Sequence, residues 1–398
     1  PGCGAAQVDG GGGQSIPKMP RHLELVGAQE PRASLQQKPE NDPSWTSAGL
    51  MAIALLTFIY EALAYNLIYL GRVLPAVGKD IMVVPYAVTF NLAWCLGMWS
   101  YMQAHLSDPG TVPVQWHHFV RGSGQMLHVA PARAEWQPAL ATLCRKCLLP
   151  RPERAHHCLI CGICVLRMDH HCPWINNCVG FYNHKYFLLL GIYADIACFI
   201  ALISTFPELI RCMLALTDSE AGFAWMPDAL KLSDIVVFLI FGTLTSMICV
   251  LLTQMLMVHT ALAAKNSTSI EDQYRNMSNP FDQGSILANI AQIFGAYGLD
   301  WFFPVRPRRP LSDGVAFPCA DEERWGLTSR QHEGGLVADH SEDSVHLWRM
   351  RYNVHPPHIV PHDPGPEWTS QQLLPQFFGC VNPHRWRPHK CLLQDGVA

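Results

Sequence analysis

The sequence predicts a mostly α-helical, polytopic membrane protein, with four transmembrane helices and a cytosolic, loop-rich, cysteine-rich domain inserted between the second and third. Three observations predict it. The 398 residues are 49% hydrophobic and only 15% charged, too apolar for an average soluble chain. Four apolar runs are long enough as helices to cross about 30 Å of hydrocarbon. Seven of the fifteen cysteines fall in one polar stretch, Cys144 to Cys178, mostly at the spacing of metal ligands, which favours a reducing compartment over a disulfide framework. The formal net charge of −4 argues against nucleic acid as a partner, because such binders carry a basic face.

Residues 1–44 are rich in Gly, Gln, Pro and mixed charge and too poor in apolar side chains to build a core, which predicts a flexible tail. The first span runs from Gly49 to Leu70 with Glu61 as its only charge, and after a turn containing Gly71, Arg72, Pro75, Gly78 and Lys79 the second runs from Ile81 to about His105. Residues 49–105 therefore hold spans 1 and 2, and residues 106–183 form the inserted domain. Spans 3 and 4 are read at 186–206 and 235–259, within a region 186–259. Four spans put both termini and the cysteine-rich domain on one side. That domain carries Arg121, Arg133, Arg145, Lys146, Arg151, Arg154 and Arg167, with Lys185 just beyond, whereas the loop from Pro207 to Asp234 carries Glu208, Asp218, Glu220, Asp228 and Asp234 against Arg211 and Lys231. The positive-inside rule then assigns the domain to the cytosol. Glu61 and Asp195 lie inside spans and are read as structural pairing between helices or as interfacial placement. In the juxtamembrane region 266–298, Ile286, Leu287, Ile290, Ile293 and Phe294 recur at helical spacing between Gly284 and Gly295, predicting a short amphipathic helix. Residues 299–398 show no period and are read as a disordered tail.

The thiols of the inserted domain read C-x2-C at Cys144 and Cys147, C-x2-C-x2-C at Cys158, Cys161 and Cys164, then Cys172 and Cys178; His156, His157, His170 and His171 lie among them. A structural Zn2+ takes four ligands in a closed tetrahedron and supplies folding energy to a segment without a core. Two such ions need eight ligands. Six cysteines and two histidines supply them as two sites of three thiolates and one imidazole, and one cysteine and two histidines remain. Cys172 stands out, because in "DHHCPW" it sits beside an acid and two imidazoles. A thiol of pKa about 8.5 becomes mostly thiolate at neutral pH if a paired His lowers it to about 6.5, and a carboxylate can hold that His in one tautomer. Cys172, His170 and Asp169 thus read as nucleophile, base and orienter. Spacing alone leaves open that Cys172 is a ligand and another cysteine is spare, or that one site is made of thiolates only. His156 is read as a further polar contact of the first site.

The run from Cys144 to Phe187, "CRKCLLPRPERAHHCLICGICVLRMDHHCPWINNCVGFYNHKYF", resembles the cysteine-rich domain of the DHHC protein S-acyltransferases (palmitoyltransferases), including the C-x4-N-x3-F ending at Cys178, Asn183 and Phe187. The resemblance extends to Asp108, Pro109 and Gly110 after the second span, and to the four-span arrangement. The family's Thr-Thr-x-Glu motif stands here as Thr268, Ser269, Ile270 and Glu271. Its Asn-Pro-Tyr helix with an inward asparagine stands as Asn279, Pro280, Phe281 and Asn289. The resemblance implies one zinc held by Cys144, Cys147, His157 and Cys164, and a second held by Cys158, Cys161, His171 and Cys178. It implies Cys172 as nucleophile, His170 as its base, Asp169 as the residue polarising His170, and Trp174 near the start of a bound acyl chain.

Residues and resemblance together predict a two-step transfer of a long-chain acyl group, palmitoyl, from acyl-CoA to cytosolic cysteines of protein substrates near the membrane. The expected cofactors are two structural Zn2+, with palmitoyl-CoA as co-substrate; the expected partners are acyl-CoA, substrate proteins and the bilayer, with no nucleic acid. Arg145, Lys146, Arg151, Arg154 and Arg167 are candidates for the CoA phosphates. The family implies an endomembrane, Golgi or ER foremost and the plasma membrane next. The rival from another class is a membrane-anchored zinc-binding interaction module without catalysis. Such a module would need the eight ligands and not Asp169, His170 and Cys172 as well.

Overall fold

Apolar runs of the length found here bury their backbone polar groups only as helices, and the computed structural model, which describes residues 43–217, 230–319 and 342–354, contains four of them long and apolar enough to cross a membrane. The helix α1 (Pro43–Leu63) continues through a wide-turned stretch, Ala64–Val73, to Ala76. Then follow α2 (Val83–Leu106), α4 (His184–Thr217) and α5 (Leu232–Ala264), with α3 (Val114–Ser123) lying in the inserted segment. The spans measure 27 to 33 residues, against the roughly 20 that a bilayer core requires. They extend past the apolar runs because the helices include polar residues near their ends, such as His184 and Lys185 in α4 and His259 and Thr260 in α5. The helix α2 packs along α4, and α4 along α5.

At the end of the bundle away from the cysteine-rich domain, Tyr65, Tyr69, Phe90, Phe238 and Phe241 form a buried aromatic cluster. Beyond it Arg72 pairs with Asp234 at 2.5 Å and Lys79 with Glu208 at 2.6 Å; the other acids read in that loop, Asp218, Glu220 and Asp228, lie outside the described residues. Both acids within the spans meet hydroxyls of α5. Thr245 Oγ1 donates to Glu61 at 2.5 Å and Thr253 Oγ1 to Asp195 at 3.0 Å. Helix–helix polar packing, as expected, is their role.

The inserted domain is built from short strands. In sheet order β1 (Val129–Pro131) runs parallel to β2 (Ala141–Leu143), which pairs antiparallel with β3 (Pro150–Arg151). Two hairpins follow: β4 (His156–Cys158) with β5 (Ile163–Val165), and β6 (His170–Cys172) with β7 (Asn177–Val179). The Asp108-Pro109-Gly110 turn docks them to span 2. Asp108 Oδ1 accepts from the backbone N–H of Gly110 and Thr111, both at 2.9 Å, and Gly110 O accepts from Leu166 N–H at 2.7 Å. Gly180 permits the approach, since a Cβ there would lie 2.4 Å from Pro109 O.

After α5, the expected amphipathic helix is present as α6 (Ile286–Phe294), N-capped by Ser285. Asn289 Nδ2 ties it to α5 through Ala264 O at 2.9 Å. The reading of 299–398 as disordered is corrected for two segments. Residues 301–319 thread back over the inserted domain, and α7 (Glu342–Arg351) packs Leu347, Trp348 and Tyr352 against Trp116, Phe119, Leu127 and Leu166. Arg351 grips the buried Glu153 with two hydrogen bonds of 2.8 and 2.7 Å. The physical reason is non-local: these residues are covered only once the distant domain exists. Residues 320–341 and 355–398 of that tail, and residues 1–42 of the N-terminal one, lie outside the described residues.

Candidate active site

Strand alternation sorts the histidines and cysteines. In β4, His157 points opposite to its neighbours and lies across from Cys164 in the ladder; in β6, His171 does the same across from Cys178, because successive side chains alternate between faces. Two quartets result, Cys144, Cys147, His157 and Cys164, and Cys158, Cys161, His171 and Cys178, each with all its ligand atoms within 4.8 Å of one another. In the first, Cys147 Sγ is 3.8 Å from Cys164 Sγ and 3.3 Å from His157 Nδ1. In the second, His171 Nδ1 is 3.7, 3.4 and 3.7 Å from the sulfurs of Cys158, Cys161 and Cys178. A zinc–sulfur bond of about 2.3 Å gives a tetrahedron with edges near 3.8 Å, so both donor sets fit Zn2+. The free Nε2 of His171 lies 3.4 Å from Ser47 Oγ, an outer partner of the kind that orients a ligating imidazole. His156, on the other face of β4, opens into a cleft lined by Arg151, Arg154, Glu271 and Tyr274. That corrects its reading as a polar contact of the first quartet.

Cys172 is left out of both quartets, and the hairpins show why. The strings "HHCLICGICV" (156–165) and "HHCPWINNCV" (170–179) superpose in register: His156↔Val165 matches His170↔Val179, His157↔Cys164 matches His171↔Cys178, and Cys158↔Ile163 matches Cys172↔Asn177. In the first hairpin Cys158 and Cys161 form a knuckle, with Cys161 N–H directed at Cys158 Sγ at 3.3 Å. In the second, Cys172 holds the position of Cys158, but Ile175 stands where Cys161 would be. The hairpin tip is docked on α2 instead. Tyr101 Oη donates to Trp174 O at 2.8 Å, His105 Nδ1 to Ile175 O at 2.7 Å, and Asn177 Nδ2 to the carbonyls of Ala104, His105 and Ser107 at 2.9 to 3.1 Å. Trp174 is 51% exposed, beside the rim where Cys172 packs with Ile175, Tyr101, Phe187, Leu55, Leu190 and Met255.

The face of β6 that carries Cys172 also carries His170. Its Nδ1 donates to Asp169 Oδ2 at 2.6 Å, which leaves the other ring nitrogen free to serve the Cys172 thiol on the same strand face. Asp169 is buried and further held by Ser269, whose N–H donates to Oδ1 at 2.7 Å and whose hydroxyl donates to Oδ2 at 3.1 Å; serine in place of threonine keeps this contact. Burial by itself would raise the Asp169 pKa, but the hydrogen bond from His170 outweighs it and holds the carboxyl well below the usual range. For His170 burial disfavours the cation, and the bonds to Asp169 and Cys172 overcome it, raising the imidazole to about 9. The arrangement is an ionised acid, an imidazole that can hold a proton, and a thiol beside it, at the edge of an apolar bundle.

Beneath it lies a buried ion pair. Arg154 Nε and Nη2 donate to the two carboxylate oxygens of Glu271, both at 2.7 Å, and the guanidinium lies over the rings of Phe281 and Phe317 at 4.5 and 4.9 Å. Phe281 in the family's tyrosine position thus serves as a cation–π face. Arg167 is also buried and donates to Asn266 at 2.9 Å. Both arginines are structural here and drop out of the candidates for CoA phosphates, while Arg145 and Lys146 are exposed. Sequence reasoning missed His259 on α5, whose Nδ1 is 3.5 Å from Asp169 Oδ2. A lone histidine near the end of a span carried no signal.

Four membrane-length helices, two zinc-type quartets and a carboxylate–imidazole–thiol set together make a multi-pass membrane protein with a thiol site at the bundle rim. Residues 139–276 match the family model described as DHHC palmitoyltransferase. The chain is 30% identical over 242 residues to "Probable protein S-acyltransferase 12" of Arabidopsis thaliana, covering 58% of this chain and 79% of that one. It is 28% identical over 284 residues to "Probable protein S-acyltransferase 13" of the same plant, covering 69% and 90%. To "Palmitoyltransferase ZDHHC2" of Homo sapiens it is 28% identical over 288 residues, covering 66% and 72%. The chain belongs to the DHHC palmitoyltransferase family.

Proposed function

We propose that the protein is an S-palmitoyltransferase that moves a palmitoyl group from palmitoyl-CoA to cysteine thiols of protein substrates through a thioester on Cys172. The observation that carries this reading is the position of Cys172. It is the thiol of the inserted domain outside both quartets, and it shares a strand face with His170 at the apolar rim of the bundle. In the first step His170 takes the Cys172 proton, the thiolate attacks the acyl-CoA carbonyl, the carbon–sulfur bond to CoA breaks, and the CoA thiolate takes the proton back from His170. In the second, a substrate thiol gives its proton to His170 and attacks the Cys172 thioester, and Cys172 leaves as a thiolate that His170 reprotonates. Thioester exchanges for thioester, so orientation and thiolate character are what the residues must supply. Asp169 fixes the tautomer and plane of His170 and stabilises its cation.

Zn2+ would be held by Cys144, Cys147, His157 and Cys164, and by Cys158, Cys161, His171 and Cys178. It supplies fixed hairpin geometry, and no bond to the reacting atoms is assigned to it. The acyl chain would enter the bundle beside Trp174, Leu55, Leu190 and Met255, where each buried methylene contributes about 0.8 kcal/mol. Positive charge on the inserted domain supports a cytosolic face for the site, and membership of the family supports the Golgi or ER as its membrane, with substrate cysteines presented near the bilayer. Incubating the purified chain with labelled palmitoyl-CoA tests the reading. Wild type is expected to take up a hydroxylamine-labile label and Cys172→Ser none; a wild type that stays unlabelled with its zinc bound leaves only a zinc-binding module.

A further inference from the structure

Resting on the reading of Cys172 as the acyl acceptor, we propose that His259 is a positioning residue for the acylation step, a second imidazole that closes the ring of donors around the Asp169 carboxylate and so fixes His170. Its side chain is 12% exposed and its Nδ1 is 3.5 Å from Asp169 Oδ2. That Nδ1 is buried and makes no hydrogen bond among the described residues. A buried imidazole nitrogen without a partner is costly. The carboxylate oxygen it faces already accepts from His170 Nδ1 and Ser269 Oγ, while Oδ1 accepts from Ser269 N–H. A carboxylate offers about four acceptor positions; these three donors take two on Oδ2 and one on Oδ1, so the Asp169 carboxylate that His259 faces keeps room for one more donor. The rings are also locked sideways. His170 and His259 lie 5.3 Å apart at 34°, and Phe187 stands edge-on to both, at 5.3 and 4.9 Å.

Without His259 the carboxylate is restrained by Ser269 alone on the side away from His170, and it can swing off the imidazole as His170 gains and loses its proton. With the His259 imidazole held against it, Nδ1 3.5 Å from Oδ2, Asp169 keeps one orientation through both protonation states. His259 retains its own proton throughout; the proton in motion travels between Cys172 and the ring nitrogen of His170 that Asp169 does not occupy.

Single-turnover acylation of Cys172 in the full chain separates this role from packing. His259→Leu is expected to lower the rate at saturating palmitoyl-CoA roughly tenfold, with little change in the half-saturating concentration and both zinc ions retained. His259→Asn, whose amide nitrogen falls where Nδ1 lies, is expected to recover most of the rate. A leucine variant as fast as wild type, or an asparagine variant as slow as the leucine one, overturns the proposal. If the leucine variant loses zinc, His259→Gln, whose amide reaches the Nε2 position instead, replaces it: slow glutamine beside fast asparagine supports the role, and equal rates overturn it. A wild type that takes no acyl group would sink the Cys172 reading itself, a different result from any of these.

Discussion

Asp169, His170 and Cys172 are consecutive enough in sequence to be read together, and alternation along one short strand explains how three adjacent residues split their work. His171 faces the zinc quartet, while His170 and Cys172 face the bundle. With burial outweighed by its bonds to Asp169 and Cys172, His170 is raised to about 9. The proton that His170 takes from Cys172 stays on the imidazole below that value and is lost as pH climbs through it, leaving none to hand to the CoA thiolate, so the alkaline limb of the Cys172 acylation rate is expected near pH 9. Asp169→Asn removes the charge that holds the proton and moves that limb down toward the free-histidine value of about 6.5, with a rate loss of about a hundredfold or more. A pH–rate profile measures both, and an unmoved limb would show that Asp169 does not set the proton affinity of His170. The remaining contacts of this carboxylate were not legible, since Ser269, though part of a motif visible in the sequence, and His259, at a helix end with no local pattern, approach it from about a hundred positions away.

The hairpin explains which cysteine is spare. Counting ligands left that choice open; aligning "HHCLICGICV" with "HHCPWINNCV" favours Cys172, since Ile175 stands where its partner thiol would be, and both strings were present in the sequence. Leu148, Gly162 and Asn176 all take positive φ, at 56°, 71° and 47°, each just after the second position of a C-x2-C or C-x2-I unit. The inserted domain is therefore three knuckles, of which the third has exchanged a thiolate for Ile175 and a metal for docking on α2. Ile175→Cys is expected to make Cys172 half of a chelating pair. Added zinc should then suppress palmitoyl labelling at least tenfold, whereas wild type, lacking the second thiolate, keeps its label. Labelling of the variant that withstands zinc would mean that something other than the missing thiolate keeps Cys172 free. The smaller buried side chain also costs on the order of 1–2 kcal/mol, to be read as a lowered melting temperature that zinc-free controls share.

Over the whole molecule the four spans were legible because a bilayer admits so few solutions, and the tail was not, because its order depends on distant surfaces. Trp348 needs Trp116 and Phe119, and Arg351 needs the buried carboxylate of Glu153, so a stretch rich in Pro, His and Arg reads as unstructured until its partners are in place. The same assembly sets the site at the meeting of domain and bundle. Span residues Leu55, Leu190 and Met255 face the thiol from the apolar side, and two zinc-type quartets hold the hairpins on the other. A thiol so placed should carry the acyl group between donor and acceptor. The direct measurement is to acylate the full chain with labelled palmitoyl-CoA, remove all acyl-CoA, and add a membrane-anchored peptide bearing one cysteine. The label is expected to leave Cys172 and appear on the peptide as a thioester in a single turnover. A label that stays on the enzyme, and reaches the peptide only when acyl-CoA is supplied again, would contradict a covalent intermediate at Cys172.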